Sequence, residues 1–368
     1  MILERAEDGS LGKRPNKNGL TDGRIHALCG VLVVALGCPW AGIAADTARE
    51  ALAREDYGSA FRQFAEHAQA GDPIAQNNLG VLYLQGRGVP KDLGAARVWF
   101  ERAAAQKLPG AMHNLGILYL RGYGVSKDPA LGARWLTQAA ESGDREAQFF
   151  IGLLYYKGEG VAPDLAQARA WFTRAADQHL PAAVYNLAVM QLQGQGGARD
   201  EAQAITYLER HQSANERITV LLGQVYLQHA SDPSQAARAL SIFKPLADAG
   251  NPSAQSELGM MYTFGRGAAR DLEEGRFWLQ QAARLGAASA QLNLGNVYAN
   301  GLGVARDRVE AYAWYSLAAA NGDPVAARNL NLLNPKLKAD ERARATTRAA
   351  ALRELHKTAV NEPAAMNE

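Results

Sequence analysis

Residues 115–140 read LGILYLRGYGVSKDPALGARWLTQAA, and the chain repeats that pattern on either side. Residues 79–104 read LGVLYLQGRGVPKDLGAARVWFERAA, and residues 151–176 read IGLLYYKGEGVAPDLAQARAWFTRAA. The glycine after the first apolar residue falls at Gly80, Gly116 and Gly152, gives way to Ala188, and returns at Gly223, Gly259 and Gly295. The steps are 36 residues long, with one of 35 between Ala188 and Gly223. A fixed period of this size means supersecondary units that cannot bury their apolar faces alone and must stack on one another.

Each unit reads as two helices. In the first, Ala111, Leu115, Gly116 and Tyr119 form one stripe at helical spacing, and the marker glycine lets a neighbouring helix approach closely. Gly122-x-Gly124 ends that helix, because glycine adopts the left-handed conformation cheaply. The second helix starts at an aspartate. Asp164, Asp200, Asp271 and Asp307 are each followed three residues later by Gln or Glu, the spacing of a capping box. Asp128 is followed by Pro129, the other favoured helix start. Nineteen residues after the marker stands an aromatic: Trp99, Trp135, Trp171, Tyr207, Trp278 and Trp314, expected to form a ladder along the core. Phe243 follows its glycine by twenty. Alanine pairs such as Ala139-Ala140 supply the small surface where helices close up.

Departures from the pattern are local. His211-Gln212 replaces an alanine pair, residues 228–235 (QHASDPSQ) lack the glycine turn, and Pro245 falls inside a second helix. Such a proline costs about 3 kcal/mol unless the helix bends, so residues 205–250 are expected to be a kink or hinge. The expected partition is a polar extension at 1–24, a signal segment at 25–44, a leading helix pair at 45–72 and seven repeats at 73–322, degenerate over 181–250. Capping helices at 323–357 and a disordered tail at 358–368 complete it. The leading pair is read as Ala48 to Arg54 and Tyr57 to Ala70.

The signal segment rests on Ile25 to Cys38 (IHALCGVLVVALGC), an apolar run too short to span a bilayer, preceded by Arg24. Small residues at Gly42 and Ala44 suit cleavage after Ala44. Export to the periplasm or medium is the expectation, with a translation start nearer Arg24 explaining the long polar extension. The alternative is a lipid anchor on Cys38 within Ala35-Leu36-Gly37-Cys38. Cys29 and Cys38 both lie in this segment, so the mature chain is expected to hold no cysteine and no transmembrane span. A net charge of +2 over 368 residues makes no electrostatic case for nucleic acid or an anionic surface.

The repeated letters A-x-x-x-L-G-x-x-Y-x-x-G-x-G-V-x-x-D-x-x-x-A-x-x-W-x-x-x-A-A, carried by residues 111–140 with Gly132 at the Ala position before the Trp, resemble the SEL-one-like repeat (SLR) family, close to the tetratricopeptide repeats. The resemblance covers about residues 57–322. It implies an all-α fold, an α/α superhelical solenoid whose first helices line a concave face. It further implies an adaptor or scaffold that binds protein. A branch of the family associated with β-lactam hydrolysis carries paired cysteines, which this mature chain is expected to lack.

The residues carry no catalytic, metal or cofactor signature. The Gly-x-Gly turns follow no strand and lack GK[ST]. His67, His113, His179, His211, His229 and His356 stand apart without HExxH, and there is no GxSxG. The free letters of the first helices remain. His113, Ile117, Phe149, Leu153, Tyr156, Tyr185 and Val189 lie on one stripe at −3, +1 and +4 from the marker, giving way to polar Gln224 and Asn296 further along. They either line a groove for a peptide or an amphipathic helix, or pack between neighbouring repeats.

Overall fold

The computed structural model describes residues 43–361, with side chains described from Thr47 to His356. The expected extension at 1–24, the apolar run at 25–38 with both cysteines, and residues 362–368 lie outside the described residues.

Every regular element among the described residues is a helix, so the chain is all-α. The helices are α1 (Ile43–Ala53), α2 (Tyr57–Gln69), α3 (Pro73–Gln85), α4 (Leu93–Ala105), α5 (Pro109–Arg121) and α6 (Pro129–Glu141). They continue as α7 (Arg145–Lys157), α8 (Leu165–Asp177), α9 (Pro181–Gln193) and α10 (Glu201–His211). After His211 come α11 (Glu216–Gln228), α12 (Pro233–Asp248), α13 (Pro252–Phe264), α14 (Leu272–Arg284), α15 (Ala288–Asn300), α16 (Arg308–Ala320), α17 (Pro324–Leu333) and α18 (Ala339–Asn361). The chain divides into two compact units between His211 and Gln212. Within each unit consecutive helices pack on one another as α/α pairs, the stacking of a solenoid.

The turns follow from the letters. Gly122 ends α5 at φ 71°, and its amide donates to the Leu118 carbonyl. The second glycine of each turn has a different task. A Cβ at Gly124 would lie 2.5 Å from Leu93 Cβ, at the start of the preceding second helix, so the turn can rest there only without a side chain.

The aspartates cap as expected, Asp164 accepting from the Ala166 and Gln167 amides at 2.9 and 3.0 Å. The capping box, however, is not closed. In the regular pairs the amide of the aspartate that caps the second helix donates to a carbonyl nine residues earlier on the first helix: Asp128 to Tyr119 at 2.8 Å, and Asp164 to Tyr155 and Asp271 to Tyr262 at 2.9 Å. That bond ties the two helices of a pair together and frees the side chain three residues after the cap for other partners. Glu310 uses that freedom to bind Arg348 Nε at 2.6 Å.

The core ladder sits one residue beyond the expected one. Trp99, Trp135, Tyr207 and Trp278 are half-buried, and only Trp171 and Trp314 are buried. The residues that follow them, Phe100, Leu136, Phe172, Leu208 and Leu279, are fully buried, as is Phe243, and Tyr315 is nearly so. One residue turns a helix by about 100°, which carries the indole to the flank of the seam. There Arg102 and Arg174 stack over Trp99 and Trp171 at 4.5 and 4.3 Å. Phe243, twenty residues after its glycine, is thus the regular member.

Each marker glycine faces this ladder. A Cβ on Gly80, Gly152 or Gly223 would lie 2.7–2.8 Å from the ring of Phe100, Phe172 or Phe243. A Cβ on Gly116 or Gly259 would meet Leu136 or Leu279 at 2.6 and 2.8 Å. The two arrangements alternate along the chain: Phe, Leu, Phe, Leu, Phe, Leu, Tyr. Where leucine faces a marker glycine, at Gly116 and Gly259, a second glycine faces that marker. A Cβ on Gly132 would fall 2.8 Å from the Gly116 carbonyl oxygen, and one on Gly275 would fall 3.0 Å from that of Gly259. The smaller side chain is matched by closer backbones, which keeps the seam at native density.

The pair α11–α12 departs from the others. α11 ends at His229 with φ −99°, without a left-handed residue, and α12 runs from Pro233 through Pro245 to Asp248 as one helix. At the C-terminal end α18 lays Ala349 and Leu352 into the cluster of Leu279, Leu294, Val297 and Trp314. Its backbone stays helical to Asn361, past the expected end at residue 357.

Candidate functional site

The seven groove residues stand on α5, α7 and α9. Five of them, His113, Ile117, Phe149, Leu153 and Val189, are buried, so the stripe is a packed seam along most of its length and not an open groove. Burial runs nearly all round α5. In α5 every residue from Gly110 to Leu120 except Tyr119 is buried. Phe149 packs on Phe150 and Phe172 at 5.8 and 5.7 Å between centroids, and Phe150 meets the edge of His113 at 5.4 Å. Only Tyr156 and Tyr185 retain partial exposure.

Histidines that stand apart in sequence are paired in space. His113 Nδ1 lies 3.3 Å from Asp144 Oδ1, and Asp144 also caps α7 through the Ala147 amide at 2.7 Å. Burial alone would raise the Asp144 carboxyl, but the His113 bond and charge, with the Ala147 and Glu146 amides, hold it below its ordinary value. Burial pushes the neighbouring Glu146 carboxyl up. His179 Nδ1 lies 2.9 Å from His211 Nε2, whose Nδ1 is 2.8 Å from the Tyr207 carbonyl oxygen. Burial, with the bond to Asp177, raises the Tyr207 hydroxyl to about 12. Among the described residues neither histidine pair gathers a third ligand, and no cluster of three His, Cys, Asp or Glu could hold a metal.

A row of carboxamides joins this stripe at Asn77, the −3 position of the first repeat, to Asn78 and Asn114, which the motif letters did not single out. Asn114 Nδ2 donates to Asn77 Oδ1 at 2.9 Å, and Asn77 Nδ2 donates to Asn78 Oδ1 at 3.4 Å. Asn78 opens on a cleft of about 330 Å³ between α1, α2 and α3, lined by Arg49, Leu52, Tyr57, Val81, Leu82 and Arg87 among others. The Arg87 guanidinium lies 4.9 Å from the Tyr57 ring centroid. Gln224 and Asn296, in the second unit, are engaged internally: Gln224 Nε2 donates to Glu257 at 2.8 Å, and Asn296 Oδ1 accepts from the Tyr315 hydroxyl at 2.7 Å. No helix among the described residues is long and apolar enough to cross a membrane.

Two comparisons bear on this arrangement. A Sel1 repeat protein from Oxalobacter formigenes has a solved structure that is 28% identical. It covers 80% of this chain and 91% of its own, with a TM-score of 0.54. The structure of a protective antigen of uropathogenic Escherichia coli strains, displaying an SLR fold, is 27% identical over 85% of this chain and 76% of its own, with a TM-score of 0.49. Comparison with curated protein sequences gives no match. The family model described as Sel1 repeat matches residues 73–108, 109–144, 145–180, 181–210, 252–286 and 288–323, leaving out the irregular pair α11–α12. With the marker glycines, the capped second helices and the stacked pairs in place, and more than half of the chain matched, this protein belongs to the Sel1 repeat family.

Proposed function

We propose that this protein is an exported, non-catalytic scaffold of the bacterial cell envelope that holds another protein within a signalling or assembly complex. The observation that carries this reading is the set of six Sel1 repeats, because Sel1 repeat proteins typically mediate protein–protein interaction. Export is supported by the apolar run at 25–38 and the small residues before Asp46. Tyr156 and Tyr185, half-exposed at the edge of the packed seam, are the groove residues left to meet a partner.

The test is to express the full chain with a C-terminal tag, fractionate the cell and read the mature N-terminus by mass spectrometry. In-cell cross-linking follows, with the wild type and a Tyr156→Ala/Tyr185→Ala variant. A mature chain starting after Ala44 and a discrete cross-linked partner lost in the variant support the reading. An acylated Cys38 would make it a lipoprotein scaffold, as in exopolysaccharide export. An intact chain in the cytosol, or nitrocefin hydrolysis by the purified protein, would overturn it.

A further inference from the structure

We infer that the unit after His211 holds an extended segment of a partner protein along α11, α13, α15 and α17, with a lysine or arginine of that segment against Glu257. The inference rests on the scaffold reading and adds to it the conformation and charge of what is held.

The stripe that stacking closes before His211 stays open after it. At −2 and +1 from the marker, Asn114, Ile117, Phe150, Leu153, Asn186 and Val189 are all buried. Beyond His211 the same positions bury Leu221 but leave Gln224, Glu257, Met260, Asn293 and Asn296 half-exposed. These side chains lie where successive first helices meet. Gln224 Nε2 on α11 donates to Glu257 Oε1 on α13 at 2.8 Å, and Asn329 Nδ2 on α17 donates to Asn296 Oδ1 on α15 at 3.5 Å. Those bonds use one atom of each amide and leave Gln224 Oε1 and Asn296 Nδ2 over. On α15, Ser289, Asn293, Asn296 and Asn300 follow at i, i+4, i+7 and i+11, a polar stripe at helical spacing.

A carboxamide offers a donor and an acceptor, the same pair as a peptide unit. An extended segment brings backbone N–H and C=O groups that can meet both. A helix has used its own internally and would bury the amides against its side chains, leaving them unpaired. The row therefore selects an extended segment. Phe264 and Leu332, 39% and 59% exposed near the ends of α13 and α17, give its side chains apolar contact. Glu257 sets the charge. Burial outweighs the Gln224 bond and the charge of Arg266 and pushes the carboxyl up, so the chain itself does not fully answer it. A cationic side chain from the segment does.

The experiment places the photoreactive residue p-benzoylphenylalanine at Phe264, Leu332 or Tyr156 in separate full-length chains and identifies what each captures in cells by mass spectrometry. A fluorescein-labelled synthetic peptide spanning the segment captured at Phe264 or Leu332 is then titrated by anisotropy. Glu257→Gln, which can still accept from Gln224, is expected to weaken binding about tenfold. Replacing the lysine or arginine of the peptide by glutamine should weaken it equally, and the two changes together should cost no more than one. Asn293→Ala should cost about fivefold, as should N-methylation of the peptide backbone. Circular dichroism checks that each variant folds. No capture at Phe264 or Leu332 overturns the inference, as does capture of glycan, a bound peptide that gains a helical signal, or unchanged affinity for Glu257→Gln. Capture at Tyr156 alone overturns it and leaves the scaffold reading standing; capture at none of the three overturns both.

Discussion

The alternation of Phe and Leu opposite the marker glycines makes a sharp energetic prediction at Gly152. The glycine is buried in α7, and a Cβ there would sit 2.8 and 2.9 Å from two ring carbons of Phe172, well inside van der Waals contact. The ring is fully buried and cannot swing into solvent. Gly152→Ala is therefore overpacked and should cost about 1–3 kcal/mol. Phe172→Leu removes ring volume from the same site and should cost roughly 1–2 kcal/mol through the cavity it leaves. The next repeat shows how the two changes fit together, since it uses Ala188 opposite Leu208 with Ala204 at the facing position, where repeat three has Ala168. The double variant recreates that combination. Its cost should fall below the sum of the single costs by about 1–2 kcal/mol, a coupling of the size found for residues in contact. Because repeat proteins unfold in pieces, the assay is amide hydrogen exchange resolved to α7 and α8, compared across the four proteins. Additive losses would refute the claim that glycine and ring volume are matched across the seam.

The ladder correction predicts that Phe100→Ala costs about 3–5 kcal/mol, while Trp99→Ala, half-buried and stacked by Arg102, costs clearly less by urea denaturation. The open capping box predicts that Asp164→Ala loses about 1 kcal/mol. Gln167→Ala should stay within about 0.5 kcal/mol, because its side chain does not return to the cap amide, which is bound to Tyr155. Asp144→Asn keeps the cap but loses the charged contact with His113, and is expected to cost about 1–2 kcal/mol at neutral pH. Since Asp144 titrates below its ordinary value when folded, its contribution is present above the unfolded carboxylate pKa of about 4 and fades as pH falls through the depressed one. The gap between wild type and Asp144→Asn should close below about pH 4; a gap constant from pH 7 to pH 3 would remove Asp144 as its source.

Much of the fold was legible because its determinants are local. A glycine with a left-handed conformation at Gly122, an aspartate cap at Asp164 and an alanine pair at Ala139-Ala140 each act within a few residues, and the 36-residue period repeats them. Helix bounds within the repeats follow from those letters. The bounds at the ends did not, since α1 begins at Ile43, ahead of Ala48, where no cap letter marks the start.

What the sequence by itself determined is the helix pair: its period, its turn, its capped second helix and the need to stack. Which residue of Trp99-Phe100 fills the core was decided by tertiary structure, because neighbours on a helix point about 100° apart and only the adjacent helix says which direction is inside. The same holds for the expected groove. His113, Ile117 and Phe149 share a stripe with Tyr156, yet stacking buries the first three and leaves the last at the surface. The arginine-lined cleft was invisible in the letters for a related reason. Arg49, Asn78 and Arg87 come from three places in the chain, and their meeting depends on how α1 packs against α3, which no local preference encodes.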